Sequence, residues 1–413
     1  MQPPRNSRSV LVIPSWYPPR GGEFFRDHAR ALAVAGMEVS VVSLDLVSLK
    51  RNPDALWRRK NISSGFEHGI REYSAHCPII PFLARPNARM WIRRMIQLGM
   101  GYIEEHGRPG IIQAHSSIWA GVAAAAIKKL TGIPYVLTEH RGRFVNNNPQ
   151  AGALFRDWHY PLIREAFGNA DKIVTVSRAL NEKIASISSV HEADIMTIPN
   201  LTDTSFFQGK PATDSPGTFT FFSLAHLVPE KGMDTLIEAA AILKHDKTDF
   251  RVIIGGDGSE RASLEQAVRD ASIDPIVRFT GKLSKGEVRD WLLHSHAFVL
   301  PSHFEAFGVV LIEAMACGLP VIGTRSGGPE FIVGDETGML VDPGDAFALA
   351  KAMRRMIDRI AGYDQAQITR YATERFNPEV VAGQYTALYE QITGGNTIKP
   401  QNLADAQYGP ASN

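Results

Sequence analysis

Short apolar runs rich in valine and isoleucine alternate along the chain with longer stretches of helical periodicity. This alternation is typical of a doubly wound α/β fold with a parallel sheet. The first half predicts strands at Ser9–Ile13, Glu38–Leu44, Ile111–His115, Tyr135–Thr138 and Lys172–Val176, and helices near Glu23–Ala35, Ala88–His106, Ala120–Thr131 and Ala153–Phe167.

The same pattern restarts after about Asn200 and predicts a second α/β unit. The segment Ile198–Asp214 is polar and rich in turn residues, so we place a boundary there, with domains at 1–199 and 200–377. The second unit predicts strands at Thr218–Leu224, Phe250–Gly255, Ile276–Thr280, Ala297–Pro301 and Pro320–Gly323, and helices near Met233–Lys244, Glu260–Ala271, Lys285–His294 and Val309–Cys317.

The C-terminal region predicts two further helices. Asp345–Gly362 has a helical pattern, and Pro378–Gln391 begins with proline in its first turn and ends before Gly394 and Gly395, which is the usual punctuation of a helix. Residues 395–413 are polar and poor in large apolar side chains, a composition that predicts disorder.

The composition is that of a folded chain with more than one core, since 44% of its 413 residues are hydrophobic and 21% are charged. Its cysteines, Cys77 and Cys317, are too few for a disulfide framework or a thiolate metal cluster. The N-terminal apolar run is too short for a signal peptide, and no stretch approaches the roughly 18 apolar residues of a membrane span. We therefore expect a cytoplasmic protein.

The two halves of the chain differ in charge although the net charge is +1. Up to Pro199 there are 25 Lys and Arg against 16 Asp and Glu, and beyond it there are 19 against 27. Chance variation over solvated faces explains this asymmetry, and so does an N-terminal half that meets an anionic partner or surface.

One basic segment admits two interpretations. Ala88–Met100 interleaves Arg89, Arg93 and Arg94 with apolar residues at helical spacing, and the basic run Leu56–Lys60 lies nearby in sequence. Such a helix can lie on anionic lipid, peripheral to the inner face of the membrane. A solvent face above an ordinary core stripe explains the same residues.

The segment Pro301–Gly318 is the most informative for chemistry, because it follows a predicted strand and opens a helix. Gly308 allows close backbone approach, and the helix amides from Gly308 to Val310 would point at an anion. Glu305 lies on the preceding loop, whereas Glu313 lies in the second helical turn. A nucleotide diphosphate with its ribose fits such a helix mouth. A plain strand–turn–helix unit with a capping glutamate fits it as well.

A second segment, Leu224–Thr235, also lies between a strand and a helix. Lys231 beside Gly232 at the helix entry is a suitable phosphate partner, because its ammonium group would neutralise leaving-group charge. His226 could add a hydrogen-bond donor. The alternative is a solvated lysine in a turn.

Two glycine-rich turns follow strands. Gly21 and Gly22, in the segment Pro18–Glu23, allow backbone close to a phosphate or sugar, although plain turns use paired glycines too. The run Gly255–Gly258 lacks the spacing of a dinucleotide-binding loop, and we interpret it as a turn.

His115 and His140 come at the ends of two predicted strands, where open α/β sheets place ligands. A lone histidine is nevertheless more often structural. No zincin, serine-hydrolase, P-loop or metal-spaced Cys/His motif occurs in the sequence, so these classes are not leading hypotheses.

Together these segments resemble the retaining glycosyltransferases of family 4, whose two-domain fold is called GT-B. The resemblance runs from about residue 9 to residue 393, and its most specific feature is the glutamate pair Glu305 and Glu313. It rests on LVPEKGMDTLIEAA, IIGGDG, RFTGKL, PSHFEAFGVVLIEAMACGLPVIGTRSGGPEFI and TGMLVDPGD.

The resemblance implies two Rossmann-like domains facing each other across a cleft, with a final helix at about 378–393 that crosses back to the N-terminal domain. It implies that Glu313 holds the ribose, that Lys231 binds phosphate, and that Glu305 contacts the transferred sugar. The implied catalytic residues are His115, Lys231 and Glu305, and the implied donor-binding residues are Gly21, Gly22, His226, Lys231, Glu305, Phe307, Gly308, Val309, Val310 and Glu313.

The chain departs from the family pattern at two places. Ala225, His226 and Leu227 stand where the family has glycine, arginine and leucine, so the phosphate-binding arginine is missing. A protonated His226 or another base such as Arg325 is expected to replace it. The usual proline-asparagine-glycine after the boundary ends here in Leu201.

The reaction implied is transfer of a hexose from a UDP-, GDP- or ADP-sugar to a hydroxyl of a glycan, glycolipid or small acceptor, with retention of configuration. We expect a role in bacterial polysaccharide, glycolipid or other glycoconjugate synthesis, with no cofactor, no metal and no nucleic-acid partner. Two alternatives remain: a catalytically silent sugar-nucleotide-binding protein, suggested by His226, and a nucleotide-sugar epimerase of the same fold.

Overall fold

A computed structural model of the chain describes two parallel sheets, each flanked by helices. The predicted tail at 395–413 and the basic run at 56–60 lie outside the described residues. The described residues are 6–18, 21–48, 62–145, 156–209, 218–245 and 248–394.

The first sheet has the strand order β3-β4-β2-β1-β5-β6-β7-β8. Its neighbouring strands run parallel except in the antiparallel hairpin of β3 and β4. Val10 and Val12 of β1 face one helical layer and Leu11 and Ile13 face the other, so this apolar run is buried on both sides. The strands are β1 Asn6–Pro14, β2 Glu38–Ser48, β3 Ile62–Glu67, β4 Ile70–Ile79, β5 Pro109–His115, β6 Tyr135–Glu139, β7 Lys172–Thr175 and β8 Ile195–Thr197.

The second sheet follows the linker and is parallel throughout, with the strand order β11-β10-β9-β12-β13-β14. A doubly wound sheet places ligands outside the carboxyl ends of its strands. The strands are β9 Phe219–Leu224, β10 Phe250–Gly255, β11 Val277–Gly281, β12 Ala297–Leu300, β13 Val321–Thr324 and β14 Gly338–Val341.

The helices cover the faces of both sheets, and each half of the chain contributes its own set. The first half contributes α1 Glu23–Val34, α2 Ala84–His106, α3 Val122–Thr131, α4 Tyr160–Gly168 and α5 Asn181–Ser188, and the linker contributes α6 Thr204–Phe207. The second half contributes α7 Met233–His245, α8 Arg261–Asp270, α9 Lys285–Leu293, α10 Val309–Ala316, α11 Pro329–Ile332, α12 Ala346–Arg359, α13 Gln365–Phe376 and α14 Pro378–Thr393.

The last helix, α14, packs on the first sheet rather than the second. Asn377 caps its first turn and Gly394 ends it in the left-handed conformation, as the sequence predicts. The Tyr389 hydroxyl donates to the side-chain oxygen of Gln113 on β5 at 2.7 Å, and the Tyr385 hydroxyl lies 3.1 Å from the Thr138 hydroxyl on β6. The crossing helix expected for the GT-B fold is thereby confirmed.

Several elements escaped the sequence analysis. All six residues of β3 are exposed, so the strand has no apolar run to reveal it, and β8, β14, α6 and α11 are three or four residues long. The hairpin strand β4 and the helices α5 and α13 were also missed. The first three residues of the helix predicted over Ala153–Phe167 lie outside the described ranges; within those ranges the α-helix begins at Tyr160, after a separate 3₁₀ turn at residues 157–159.

Candidate functional site

Two loops at the carboxyl end of the second sheet are held together by backbone contacts. The amide of His303 donates to the carbonyl of Glu230 at 2.9 Å. Gly232 lies so close to the other loop that a Cβ atom there would be 2.1 Å from the Pro301 carbonyl oxygen. This approach, which only glycine permits, brings the Lys231 ammonium within 2.6 Å of the Glu305 carboxylate.

Helix α10 begins directly after the Glu305 loop. Gly308 precedes it with φ of +103°, a conformation that favours glycine, and the eight helical residues start at Val309. The first amides of a helix have no intrahelical acceptor and carry the positive end of the dipole. The helix mouth, three residues beyond Glu305, is therefore suited to an anion.

Glu313 lies on the accessible face of this helix. Val309, Val310 and Glu313 are partly exposed, whereas the other residues of α10 are buried. Burial raises the pKa of the Glu313 carboxyl to about 7, and the nearby ammonium of Lys285 acts in the opposite direction. The carboxylate is thus desolvated at the position where the sequence analysis expected a ribose.

A groove of about 640 Å³ adjoins the helix mouth at the carboxyl ends of β9, β10 and β11. His226 is exposed there, and its Nδ1 lies 2.7 Å from the carbonyl oxygen of Asp257. The sequence analysis missed Lys282 and Leu283, although their position just after a strand could have identified them. The groove is lined by Leu224, Ala225, His226, Gly256, Asp257, Gly258, Lys282, Leu283 and Val310.

The run Gly255–Gly258, which we expected to be a turn, ends β10 at Gly255 and continues as an irregular loop at residues 256–258. Gly256 has φ of +111°, and a Cβ atom there would lie 1.8 Å from the Ala225 carbonyl oxygen. The loop lines the groove, so its glycines bring the backbone close to any ligand bound there.

On the first sheet, Gly22 forms the N-cap of α1. Its φ is +85°, and a Cβ atom there would lie 2.8 Å from the Trp16 carbonyl oxygen, so the turn requires glycine. Gly21 before it is also left-handed, with φ of +82°. The pair therefore lets the chain enter α1 close to Trp16, and its expected approach to a phosphate or sugar remains a prediction.

His115 is buried at the end of β5, with 1% of its surface exposed. Its Nδ1 lies 3.0 Å from Nε2 of His140, and Nδ1 of His140 lies 3.0 Å from the side-chain oxygen of Asn200. Burial is the main cause that lowers the pKa of both histidines, so both rings are neutral near pH 7. A direct contact of His115 with a sugar remains a prediction.

The two sheets meet beside the Glu305 loop. The Ser177 hydroxyl donates to the Ala306 carbonyl at 2.6 Å. Gly327, which forms a β-bridge with Glu305, lies so near Val145 and Ala179 that a Cβ atom there would be 3.1 Å from each side chain. The loop after β7 therefore contacts the loop that carries Glu305, and the loop after β6 contacts Gly327, its bridge partner.

Three other residues named from the sequence occupy less direct positions. Phe307 is 2% exposed, its ring packs near Phe331 and Phe376, and Gly328 lies against its backbone, so its expected contact with the donor remains a prediction. Arg325, one expected substitute for the missing arginine, forms an exposed ion pair with Asp342 at 3.2 Å. Leu201 is buried in the core beside α1 and α14.

The comparisons with known proteins cover both halves of the chain. Residues 21–206 match the model described as Glycosyltransferase Family 4, and residues 208–375 match Glycosyl transferases group 1. Over 416 aligned positions the chain is 30% identical to the putative teichuronic acid biosynthesis glycosyltransferase TuaC of Bacillus subtilis, with 94% of this chain and 96% of TuaC covered.

Solved structures share the whole architecture. Sucrose-phosphate synthase from Thermosynechococcus elongatus matches with a TM-score of 0.76 and 21% identity, covering 94% of this chain and 99% of that one. HepE of Anabaena in complex with UDP-glucose matches with a TM-score of 0.70 and 18% identity, covering 93% and 99%.

The fold defines a GT-B glycosyltransferase, with two parallel α/β units and a C-terminal helix that returns to the first. The chain belongs to glycosyltransferase family 4, as the sequence resemblance predicted. Within the described ranges, no helix combines the length and apolarity that crossing a bilayer requires.

Proposed function

We propose that this glycosyltransferase moves a hexose from a nucleotide diphosphate sugar to a hydroxyl acceptor, with retention of configuration. The observation that carries the proposal is the Lys231–Glu305 pair, 2.6 Å apart, at the mouth of α10. A lysine, a helix dipole and a carboxylate meet there, which are the groups that a sugar linked to a diphosphate requires.

The donor's parts correspond to distinct parts of the site. The diphosphate would accept hydrogen bonds from the amides of Gly308 to Val310, and Glu313, one turn further along α10, would accept two ribose hydroxyls. The groove beside His226 has room for the base. HepE, which shares the fold, has been solved with UDP and with UDP-glucose, and this supports a uridine nucleotide as the first donor to test.

Lys231 would act mainly on the leaving group. As the bond to the sugar breaks, negative charge grows on the diphosphate, and a fixed ammonium group lowers the energy of that state. Glu305 would hold the sugar, and His115 would face the reacting carbon from the other sheet. Because lysine and amides neutralise the diphosphate, we propose that the reaction needs no metal, so EDTA should leave the rate unchanged.

The acceptor would bind on the first sheet, opposite the donor. Retention requires the acceptor hydroxyl to approach on the face that the diphosphate leaves. TuaC is named for teichuronic acid biosynthesis, and this supports a role for the present chain in bacterial polysaccharide or glycolipid synthesis.

Donor hydrolysis followed by proton NMR tests this proposal. A thermal-shift screen of UDP-, GDP- and ADP-sugars first identifies the donor. From an α-linked donor, retention predicts that the α-sugar is released first, and Lys231→Ala should lower kcat by about 10²–10³-fold. Lys244→Ala is the matched control, because Lys244 lies at the far end of α7 and its ammonium group donates to the Ser272 carbonyl.

A β-sugar as first product would refute retention. Unchanged kinetics in both Lys231→Ala and Glu313→Ala would refute the donor site itself. Binding of a sugar nucleotide with no hydrolysis and no transfer would instead indicate a silent binding protein.

We also propose that the first sheet's domain rests on an anionic membrane surface. The apolar residues at helical spacing in Ala88–Met100 do not face lipid directly, because Trp91 is buried and Ile92, Ile96 and Met100 pack on the core. The loop before α2 is different. Ile80, Phe82 and Leu83 are exposed by 39%, 104% and 44%.

That loop is held rigidly and lies next to positive charge. The Asn87 side chain both accepts from the amide of Ile80 at 2.9 Å and donates to its carbonyl at 2.7 Å. Arg85, Arg89 and Arg93 are exposed along the following helix. Apolar side chains beside arginines are suited to the interface of a membrane with anionic lipids.

A further inference from the structure

Arg141 lies at the carboxyl end of the first sheet and forms no ion pair with a carboxylate among the described residues. Its guanidinium carbon lies 4.7 Å from the centre of the Trp16 ring, and its Nη2 donates to the Ile118 carbonyl at 2.7 Å. Within the described part of the chain, its Nε is buried without a hydrogen-bond acceptor. A guanidinium group that has a free N–H and no carboxylate partner can still bind an anion.

The acidic group that acts on Arg141 is Glu139, but its oxygens are already occupied. One carboxylate oxygen accepts the amides of His140 and Arg141 at 2.9 and 3.1 Å. The other accepts the amide and hydroxyl of Ser117 at 2.9 and 2.7 Å. Glu139 therefore orders the loop instead of pairing directly with the arginine.

Burying a cation without a direct carboxylate partner costs free energy. Burial lowers the pKa of Arg141 to about 10, and the charge of Arg143 acts in the same direction. A fold retains a desolvated arginine at a loop more readily where a ligand supplies the missing negative charge. The residue as a whole remains partly exposed, at the carboxyl end of the first sheet.

The position of Arg141 relates it to the reaction. Trp16, on which it stacks, also contacts the Gly22 turn. Val145, at the end of the same loop, touches Gly327, the bridge partner of Glu305. Arg141 thus lies on the acceptor side of the cleft, between the α1 turn and the loop proposed to hold the transferred sugar.

Aromatic side chains flank the same region. Trp119 stacks on Trp158 with ring centres 5.5 Å apart, and Trp158 stacks on His159 at 3.9 Å. Both tryptophans are partly exposed. The positive charges of Arg141 and Arg143 are among the causes that lower the pKa of His159, which places the rings and the arginines in one neighbourhood. Indole faces offer apolar area to a sugar ring.

We propose that Arg141, stacked on Trp16, binds an anionic group of the acceptor, so that the acceptor is a sugar or glycan bearing a carboxylate or phosphate. The inference rests on the proposed transfer to a hydroxyl acceptor and specifies the chemical class of that acceptor. The charge-assisted hydrogen bonds of a guanidinium group suit both kinds of oxyanion.

Three small probes test the inference on the full chain: methyl β-D-glucuronide, glucose 6-phosphate and the neutral methyl β-D-glucoside. Affinities are measured by calorimetry with and without saturating UDP. The wild type should bind at least one anionic probe at least tenfold more tightly than the neutral one, whether or not UDP is present. Comparison of the two anionic probes distinguishes carboxylate from phosphate.

Arg141→Gln should abolish that preference, and Arg141→Lys should keep part of it because the charge remains. Arg355→Gln, on the exposed face of α12 in the second half of the chain, is the matched control and should leave the preference unchanged. Circular dichroism verifies folding, and if the glutamine variant unfolds, the lysine variant still decides, since full retention of the preference would oppose a guanidinium-specific site.

Equal binding of charged and neutral probes by the wild type would overturn the inference. So would displacement of the anionic probes by UDP together with weaker UDP binding in Arg141→Gln, because the arginine would then serve the donor diphosphate. Donor hydrolysis separates this test from the proposed function. Arg141→Gln should still hydrolyse donor without acceptor, whereas absence of hydrolysis in the wild type would refute only the transferase proposal.

Discussion

The two glutamates of the site share a side-chain type but have different environments. Glu305 accepts a hydrogen bond from Lys231, so its carboxylate lies next to a positive charge. Glu313 lies on α10, where burial raises its pKa to about 7 and a more distant Lys285 only partly offsets that effect. The difference suits the two proposed tasks, in which Glu305 would contact the sugar beside the leaving group and Glu313 would accept hydrogen bonds from the neutral ribose hydroxyls.

Glu313→Gln should raise the free energy of unfolding at pH 8 and have little effect near pH 5. The folded pKa of about 7 lies above the ordinary 4.5, so the folded state binds the proton more tightly, and the carboxyl increasingly destabilises the fold as pH rises from 4.5 to 7. We expect a gain of about 1–3 kcal/mol at pH 8, after allowance for partial exposure. Urea unfolding at the two pH values measures it.

The exposed Glu374→Gln on α13 is the control for that series, and it should show no pH-dependent difference. A gain for Glu313→Gln that is equal at pH 5 and pH 8 would contradict the argument. Donor affinity should fall in Glu313→Gln, because the amide cannot accept hydrogen bonds from both ribose hydroxyls.

The sequence identified some residues of the proposed sites but not others. Lys231 and Glu305 are 74 positions apart, yet both lie in motifs after strands, and parallel strands bring their carboxyl ends to one edge. Arg141 carries no such signal. Its partners Trp16 and Ile118 come from the turns after β1 and β5, and an unpaired guanidinium group is visible only once the fold assembles them.

At the scale of elements, glycines set the distances between the loops of the second sheet. Gly232→Ala should displace the Lys231 turn, because the added Cβ would lie 2.1 Å from the Pro301 carbonyl oxygen, a backbone atom that cannot rotate away. We expect destabilisation of about 1–3 kcal/mol from overpacking and a fall in turnover that exceeds any change in donor affinity. Thermal unfolding and steady-state kinetics measure the two effects.

Gly286→Ala provides the control on α9, where a Cβ atom meets nothing within 4 Å. Alanine in a helix interior should stabilise the chain by up to about 1 kcal/mol without a kinetic effect. If Gly232→Ala behaved like Gly286→Ala, the close approach of the two loops would not be what positions Lys231.

The predicted elements were those with an apolar run or an amphipathic stripe. β10 was predicted with its observed bounds, since Phe250–Gly255 is apolar apart from the exposed Arg251 and ends in glycines. The hairpin of β3 and β4 was missed because exposed serine and glycine dominate β3. β3 pairs with β4, and β4 pairs with β2 along a long parallel stretch. These pairings join separate parts of the chain, so the local sequence does not reveal them.

At the scale of the whole molecule, the positive first half and the negative second half of the chain correspond to the two sheets. The basic half carries Arg141 and the exposed arginines of α2, whereas the second half carries Glu305, Glu313 and the proposed donor site. Since α14 returns to the first sheet, the two halves are tied at both the linker and the C-terminus. Donor and acceptor would thus meet between surfaces of opposite charge.

Vesicle binding should depend on Phe82, which lies in the exposed loop before α2. The wild type should float with vesicles of phosphatidylglycerol and phosphatidylcholine but not with phosphatidylcholine alone. Phe82→Ser should weaken binding about 10–100-fold, because inserting that side chain is worth about 1.5–3 kcal/mol. Phe347→Ser is the matched control, since Phe347 is 71% exposed on α12 of the acidic half.

Ionic strength distinguishes the electrostatic contribution to vesicle binding from the apolar contribution. Raising the ionic strength should weaken the wild type by screening the arginines, while the apolar contribution of Phe82 remains. Equal losses for Phe82→Ser and Phe347→Ser, or binding that ignores lipid charge, would contradict a specific membrane face. Membrane attachment of the basic domain would then have no role in presenting acceptors. Chance variation over solvated faces would be the remaining explanation of the charge difference between the two halves.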